Sequence, residues 1–325
     1  MITRRRVVMA LGAGVLTPLA SFAQQPKELP RIGFLISQTP DLFFERFQQQ
    51  MRELGYVGGG NVIFEKRNAD GQLDRIPALV HELVQRKVSV LVVPNNVAIS
   101  AAKKVTTTIP IVMMSSIDPV AAGYVDSLAH PGGNITGIAN LQRELSAKRI
   151  ELIREMLPKL SRLAILWDAG GPGPKIAVEN YEAAARALGL RVQSLAIRGP
   201  SPELESAFRA ARTGRAEAII IVSNPTMAQH RTAIMALSDR NRLASMVESG
   251  IWVNEGGLLS YSTSVAEVAQ RLAAFVHRIL KGAKPADLPV EQPTKFELVV
   301  NMKTAKALGI TIPQSILVRA DRVIE

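Results

Sequence analysis

The sequence predicts an α/β protein built from two successive doubly wound units. From residue 31 onwards, short apolar runs alternate with longer segments whose apolar residues recur at helical spacing. The apolar runs are continuous and do not alternate with polar residues, which is typical of parallel strands covered on both faces. Roughly ten such strands are predicted, and two sheets accommodate that number better than one.

The first unit is predicted to contain four strands and three helices. The strands cover residues 32–36, 62–66, 88–93 and 109–114, and the helices cover 41–54, 73–86 and 97–105. Asp41 is in position to cap the first of these helices, because its carboxylate accepts hydrogen bonds from free amides.

The second unit opens with a helix over residues 144–157, which Pro158 ends. Further strands are predicted over 163–167, 191–197, 218–222, 243–247 and 257–261, and further helices over 175–188, 203–212, 226–241 and 265–280. Residues 296–300 form a last buried strand. We expect the chain to cross between two lobes near Asn140, Ser262 and Gln292, so that residues 30–140 and 263–291 form lobe 1. Residues 141–262 and 292–325 form lobe 2.

Residues 1–23 have the features of an export signal. Three arginines at positions 4–6 precede an uncharged run that ends at Ala23, with small residues at Ser21 and Ala23. The apolar run falls short of the roughly 20 residues that a membrane span needs, so cleavage after Ala23 is expected. The general secretion route and the twin-arginine route both fit this segment.

Composition excludes several classes of protein. The chain contains no cysteine, so disulfides, thiolate metal sites and a lipid-modified amino-terminal cysteine are excluded, and the exported protein is expected to be soluble in the periplasm. Removing the signal, with its three arginines and no acidic residue, lowers the formal net charge from +11 to +8. The basic residues are scattered and not clustered with aromatic ones, so no nucleic-acid partner is predicted.

Catalytic and metal-binding motifs do not appear in the sequence. There is no dinucleotide fingerprint, nucleophile elbow or phosphate-binding P-loop, and residues 169–174 (AGGPGP) are predicted to form a flexible turn. The four histidines lie far apart, at positions 81, 130, 230 and 277. We therefore predict no catalytic residue, no metal and no cofactor.

Short polar side chains follow several predicted strands, where an open parallel sheet binds its ligand. They are Ser37, Asn95, Ser116 and Asp118 in the first unit, and Trp167, Asn224, Glu248 and Tyr261 in the second. Asp118 fits an ammonium group, and Trp167 fits a stacked ring. Helix capping by Asn95, Ser116 and Asn224, a turn cap by Asp118, and packing of Trp167 in the core are the alternatives.

Three segments carry a resemblance to a known family. They are DPVAAGYVDSLAHPGGNITGIANL (118–141), KRIELIREMLPKLSRLAILWD (148–168) and GGLLSYSTS (256–264). The sequence resembles ABC-transporter substrate-binding proteins, a family that includes tryptophan- and tyrosine-binding members. The resemblance implies a type I periplasmic-binding-protein fold, with two Rossmann-like doubly wound lobes joined by a three-strand hinge.

The resemblance also implies a set of ligand-facing positions and a partner. The positions are Ser37, Asn95, Ser116, Asp118, Asn140, Asn224 and Tyr261. The partner is an ABC permease in the cytoplasmic membrane, to which a monomeric receptor delivers a small molecule such as an amino acid or aromatic acid. At Asn95–Asn96 and at Asn224 this sequence departs from residues common in the family, so the ligand need not be an aromatic amino acid.

Two other functions use the same cleft. One is an exported enzyme that acts on a small carboxylated substrate, with Asp118 or Glu248 as its base. The other is a ligand-sensing partner of a membrane receptor, which shares the fold and differs in the protein it contacts.

Overall fold

The computed structural model describes residues 28–37, 42–139, 142–170, 172–199 and 201–325. The predicted signal segment, the predicted cap Asp41 and the predicted site residue Asn140 lie outside these ranges. The first sheet has five parallel strands in the order β2-β1-β3-β4-β5. These are β1 (Arg31–Ile36), β2 (Ile63–Asn68), β3 (Val90–Val93), β4 (Ile111–Ser115) and β5 (Ile135–Ala139).

The second sheet has seven strands in the order β12-β11-β10-β9-β8-β6-β7. These are β6 (Arg162–Asp168), β7 (Arg191–Ile197), β8 (Ala218–Ile221), β9 (Ala244–Val247), β10 (Leu259–Thr263), β11 (Phe296–Asn301) and β12 (Arg322–Ile324). All neighbours are parallel except β10 and β11, which pair antiparallel. The prediction of two parallel, doubly wound sheets is confirmed.

Helices cover both faces of each sheet. They are α1 (Leu42–Glu53), α2 (Ile76–Gln85), α3 (Asn96–Val105), α4 (Gln142–Met156), α5 (Pro172–Ala187), α6 (Leu204–Thr213), α7 (Pro225–Gln229), α8 (Arg231–Arg240), α9 (Gly250–Asn254), α10 (Val265–Leu280), α11 (Met302–Leu308) and α12 (Gln314–Arg319). Single 3-10 turns lie at Leu73–Arg75 and Pro285–Asp287. Each sheet separates two buried apolar clusters, one on each face.

The chain passes between the two sheets three times among the described residues. It leaves the first sheet after Ala139, and α4 packs on the second sheet. After β10 it returns, because the apolar face of α10 packs against β1 and β3 of the first sheet. It crosses again between Glu291 and Phe296, where β11 begins. Each crossing lies within a few residues of its predicted position.

Several elements differ from the prediction. The helix predicted over 226–241 is divided into α7 and α8, because His230 leaves helical geometry and its amide bonds to the carbonyl of Met227. The turn predicted over 169–174 ends early, since α5 begins at Pro172 and its prolines lie in the first turn, where they cost no hydrogen bond.

The carboxyl-terminal region contains more structure than predicted. Residues 296–300 are not the last strand, since the short edge strand β12 pairs with β11. The short helices α9, α11 and α12 were also missed. All four elements are between three and seven residues long, too short for a hydrophobic period to identify.

The segment PGGNITG (131–137) leads into β5, after which the chain makes its first crossing between the sheets. Asn134 donates to the carbonyl of Ile109 at 2.8 Å, and Thr136 donates to the carbonyl of Leu288 at 2.6 Å. Gly137 has a positive φ of 134°, and an added Cβ would lie 2.2 Å from the Met113 carbonyl oxygen. Its own carbonyl accepts the amide of Glu291, which joins the first and third crossings. Gly137, Asn134 and Thr136 are therefore explained by backbone geometry.

We expect Gly137→Ala to lower the free energy of unfolding by about 2–4 kcal/mol, because the added Cβ meets backbone atoms of β4. Urea unfolding followed by circular dichroism measures the change. Gly133→Ala is the matched control, since no atom lies within 4 Å of its added Cβ and its φ is not positive. Equal stability of the two variants would contradict this account.

A hydrogen-bond network around Glu267 joins α10 to the third crossing, residues 291–295. The Glu267 carboxylate accepts the amide of Lys295 at 2.8 Å, the hydroxyl of Thr294 at 3.0 Å and Nε of Arg271 at 2.9 Å. Arg271 also donates to Glu291 at 2.6 Å. Burial alone raises the pKa of Glu267, but these hydrogen bonds outweigh burial and lower that pKa.

A lowered folded-state pKa gives Glu267 a stabilising effect that is present above its unfolded pKa, about 4.3, and is lost as the pH falls through the folded value. We expect the free energy of unfolding to fall on acidification below about pH 4.3, and Glu267→Gln to flatten that dependence. Urea titrations at a series of pH values measure the slope. The exposed Glu151, replaced by Gln, is the control. An unchanged slope in Glu267→Gln would exclude this role.

Candidate functional site

A cavity of about 700 Å³ lies where the carboxyl ends of the two sheets meet. On the first-sheet side it is lined by residues that follow β1, β3 and β4, and by one face of α3. On the second-sheet side it is lined by the amino-terminal part of α5, by residues 222–225 after β8, by Ala228 of α7 and by Glu248 after β9. The position is the one in which open parallel sheets bind small molecules.

Hydrogen bonds of two asparagines hold the loops on the first-sheet side of the cavity, which we call the first-sheet wall. Asn95 caps α3 by accepting the amide of Ala98 at 2.8 Å, and its Nδ2 donates to Ser37 Oγ at 3.0 Å. Asn96 donates to Ser116 Oγ at 2.6 Å. Ser37, Asn95 and Ser116 line the cavity. Asn95 also caps a helix, which is the alternative given for it, whereas Ser37 and Ser116 accept hydrogen bonds from the two asparagines.

The second-sheet wall repeats this arrangement. Asn224 caps α7 by accepting the amide of Met227 at 2.8 Å, and its Nδ2 donates to Asp168 Oδ2 at 2.8 Å. Asp168 is almost fully buried, and its other oxygen accepts the amide of Gly170. In each wall a capping asparagine is therefore held by a second polar residue at the end of a neighbouring strand.

A buried ionic cluster lies behind the second-sheet wall. Arg149 Nη1 donates to Glu248 Oε1 at 2.9 Å and to the Tyr181 hydroxyl at 2.8 Å, and that hydroxyl donates to Glu248 Oε1 at 2.6 Å. Arg149 Nε donates to the carbonyl of Tyr261 at 2.7 Å. The side chains of Arg149 and Glu248 are 3% and 9% exposed, so the ion pair is shielded from water.

Burial and mutual charge set the protonation of this cluster. Burial alone lowers the pKa of Arg149, but its interactions with Tyr181 and Glu248 outweigh burial and raise that pKa. Burial raises the pKa of Tyr181 well above its usual value, so the phenol stays protonated and donates to Glu248. Arg149 is therefore always charged, and it compensates the carboxylate that faces the cavity.

Glu248 and Ser223 both line the cavity, and each has a polar atom with capacity for a further hydrogen bond. Glu248 Oε2 accepts the amide of Ser223 at 2.8 Å, and a carboxylate oxygen has room for a second donor. Ser223 Oγ is buried and has no hydrogen-bond partner in the described part of the chain. Buried hydroxyls are normally satisfied, so this position fits a polar group of a ligand.

Three predicted ligand contacts lie outside the cavity. Asp118 Oδ1 accepts the amides of Val120 and Ala121, at 2.9 and 3.2 Å, so this carboxylate caps the turn that begins at Pro119. Trp167 packs against the core and donates to Ser194 Oγ at 2.8 Å. The Tyr261 ring stacks on Phe296 with 5.6 Å between centroids. Each of these side chains therefore has a partner within the protein, and its predicted ligand contact stays a prediction.

The sequence did not identify Arg149 and Tyr181 as part of the site. A sequence signal for Arg149 exists, because it lies on the face of α4 that also carries Leu145, Leu152 and Met156, all buried. A basic residue on an apolar helix face needs a buried partner. Tyr181 gives no such signal, since a tyrosine is common on the buried face of an amphipathic helix.

No group of three His, Asp or Glu residues within the described ranges is arranged to hold a metal ion. In the same ranges no helix has the length and apolar character of a membrane span.

We expect Arg149→Met to lower the free energy of unfolding by about 3–5 kcal/mol, because it leaves the Glu248 carboxylate buried without a counter-charge. The double variant Arg149→Met with Glu248→Gln recovers part of that loss, since the buried group is then neutral. Urea unfolding of the two single variants and the double variant measures the coupling. Additive losses would show that the ion pair has no energetic role.

Comparison with known proteins agrees with this architecture. The model of the family described as ABC transporter substrate binding protein matches residues 35–324. A tyrosine-binding protein from Clostridioides difficile (strain R20291) is 23% identical over 265 residues, which cover 81% of this chain and 75% of that protein.

Solved structures show the same fold. An ABC domain from Streptococcus pneumonia in complex with L-Trp is 27% identical and superposes with a TM-score of 0.83, covering 91% of this chain and 100% of that one. A conserved domain protein from Vibrio cholerae O1 biovar El Tor is 24% identical, with the same TM-score and coverage. A family match over most of the sequence, together with a cleft between two parallel sheets, shows that this chain belongs to the ABC transporter substrate-binding proteins.

Proposed function

We propose that this protein captures a small solute of the amino-acid type in the cavity between its sheets and delivers it to an ABC permease. The observation that carries the proposal is the cavity itself, which is lined from both sheets and contains a buried carboxylate with an unpartnered hydroxyl beside it. Its volume, about 700 Å³, lies within the range of about 300–1,000 Å³ that is usual for small-molecule sites.

The ammonium group of the solute binds at Glu248 Oε2 and Ser223 Oγ. The first oxygen has a free lone pair, and the second has no hydrogen-bond partner among the described residues. Charge-assisted hydrogen bonds of this kind are short and strong in a site shielded from water. The tyrosine-binding relative and the L-Trp complex support an amino-acid ligand.

The apolar part of the solute packs on the remaining walls. Met114, Ile117, Tyr124, Ala177 and Val222 line the cavity close to its polar centre. Tyr124 is the one aromatic residue of the described lining, and its hydroxyl interacts with Ser100 at 2.8 Å. Ser37, Asn95, Ser116 and Asn224 shape the walls, whereas Asp118, Trp167 and Tyr261 are not part of the cavity lining.

Capture works by closure of two lobes, residues 30–140 with 263–291 and residues 141–262 with 292–325. A ligand that contacts both lobes only when they are close together shifts the population toward the closed state. Shifting a hinge from 1:99 to 99:1 requires about 5.5 kcal/mol of differential affinity. The three crossings support this motion, since they keep the lobes together while short segments change their angles.

The cellular setting follows from the family. The protein acts as an exported periplasmic monomer without catalysis. The two residues considered as bases in the enzyme alternative have structural partners, since Asp118 caps a turn and Glu248 is paired with Arg149.

We expect at least one amino acid or close analogue to raise the melting temperature of the purified protein, because binding to the folded state stabilises it. Glu248→Gln is expected to weaken that binding about tenfold or more, since it removes the charge facing the ammonium group. Calorimetric titration gives the affinity.

Asp118→Ala is the matched control, because Asp118 is an acidic residue after a strand of the first sheet but lies outside the cavity. Its affinity is expected to equal that of the parent protein. Binding of no amino acid or related solute, in a screen that includes L-tryptophan and L-tyrosine, would overturn the proposed function.

A further inference from the structure

The cavity continues beyond the polar centre along one face of α3. Its lining there is apolar, with Leu73 and Pro77 on one side and Val97, Ala101 and Val105 along the helix. Val97 is 37% exposed. This extension, which we name the α3 groove, lengthens the cavity by about two helical turns.

The α3 groove ends at a free positive charge. Lys104 lines the cavity and is exposed, and its ammonium group makes no ion pair or hydrogen bond with the residues that the structure describes. Its neighbour Lys103 donates instead to the carbonyl of Gly123. A rise of about 1.5 Å per residue places the Cα atom of Lys104 about 12 Å along the axis from that of Asn96, at the entrance of the groove.

The described lining therefore has two charged residues of opposite sign. Glu248 lies at the polar centre on the second-sheet side, and Lys104 lies at the far end of the α3 groove on the first-sheet side. The surface between them is mostly apolar. An α-amino acid carries its ammonium and carboxylate groups on the same carbon atom, whereas an elongated zwitterion separates them by an apolar stretch.

We propose that the preferred ligand is an elongated zwitterion, with an ammonium group at Glu248, an apolar body in the α3 groove and a carboxylate at Lys104. The inference rests on the proposed function and specifies its substrate class. Two kinds of molecule share this chemistry, namely straight-chain ω-amino acids and short apolar peptides. Both separate their charges by an apolar stretch, and the apolar part stabilises the complex in proportion to the area it buries.

The test is calorimetric titration of the purified full-length chain with three ligand series. They are ω-amino acids from β-alanine to aminododecanoate, diamines and dicarboxylates of matching length, and alanine-containing dipeptides to tetrapeptides. Affinity is expected to rise with length to a maximum in a zwitterionic series and to exceed that of the matching diamine and dicarboxylate. The series that contains the maximum distinguishes an ω-amino acid from a peptide.

Lys104→Gln tests the distal charge. We expect it to weaken binding of the best zwitterion about fivefold to tenfold and to leave binding of the monoamine of equal length unchanged. Lys103→Gln is the matched control, since it removes a positive charge from the adjacent position outside the cavity lining, and it is expected to leave both affinities unchanged. The exposed position of both lysines means that each variant should fold.

The possible failures are distinguishable. If L-tryptophan or L-tyrosine binds more tightly than every elongated zwitterion, and Lys104→Gln has no effect, the α3 groove is not a ligand subsite although the proposed function stands. If no amino compound in any series binds, the proposed function fails, and this inference fails with it.

Discussion

The hydrogen bonds of the Glu267 carboxylate hold the two-sheet arrangement together. This side chain lies in the first turn of α10, which packs on the first sheet, and it binds residues 294 and 295, which lead into the second sheet. The backbone of Glu291 pairs with β5 beside Gly137 in the same region. Three crossings tied together at one place fix where the carboxyl ends of the sheets meet, and the cavity exists because they meet there.

The polar residues at the cavity have a structural role as well as a binding role. Asn95 and Asn224 cap the helices that point into it, and Ser37 and Asp168 orient them. Such side chains are fixed in place before any ligand arrives, which lowers the entropic cost of binding.

Glu248 shows how a carboxylate can face a cavity that is largely apolar. Arg149 and Tyr181 donate hydrogen bonds to Glu248 Oε1, and the amide of Ser223 donates to Glu248 Oε2. Without that support the buried negative charge would be costly. Because Arg149 neutralises the carboxylate, the cavity is not strongly negative as a whole. In the proposed binding mode, recognition depends on the hydrogen bonds to Glu248 and on Lys104 at the opposite end.

The residues that line the cavity follow from the sequence only in part. Ser37, Asn95, Ser116 and Asn224 reach the cavity because each follows a parallel strand, which is a rule that a sequence can express. Asp118, Trp167 and Tyr261 satisfy the same rule but are held elsewhere, by two turn amides, by Ser194 and by Phe296. The turn cap by Asp118 and the packing of Trp167 were alternatives that the sequence offered, whereas the stacking of Tyr261 on Phe296 joins residues far apart in the chain.

The sequence by itself determined the α/β class, the alternation of strands and helices, and the segments that join the two sheets. Strands buried on both faces appear as continuous apolar runs, and helices appear as apolar residues at helical spacing. Only the tertiary structure decided that Arg149, Tyr181 and Glu248 form one buried cluster and that Lys104 lies at the end of an apolar groove. Those relations join residues far apart in the chain, and the direction of a side chain depends on packing that local patterns do not encode.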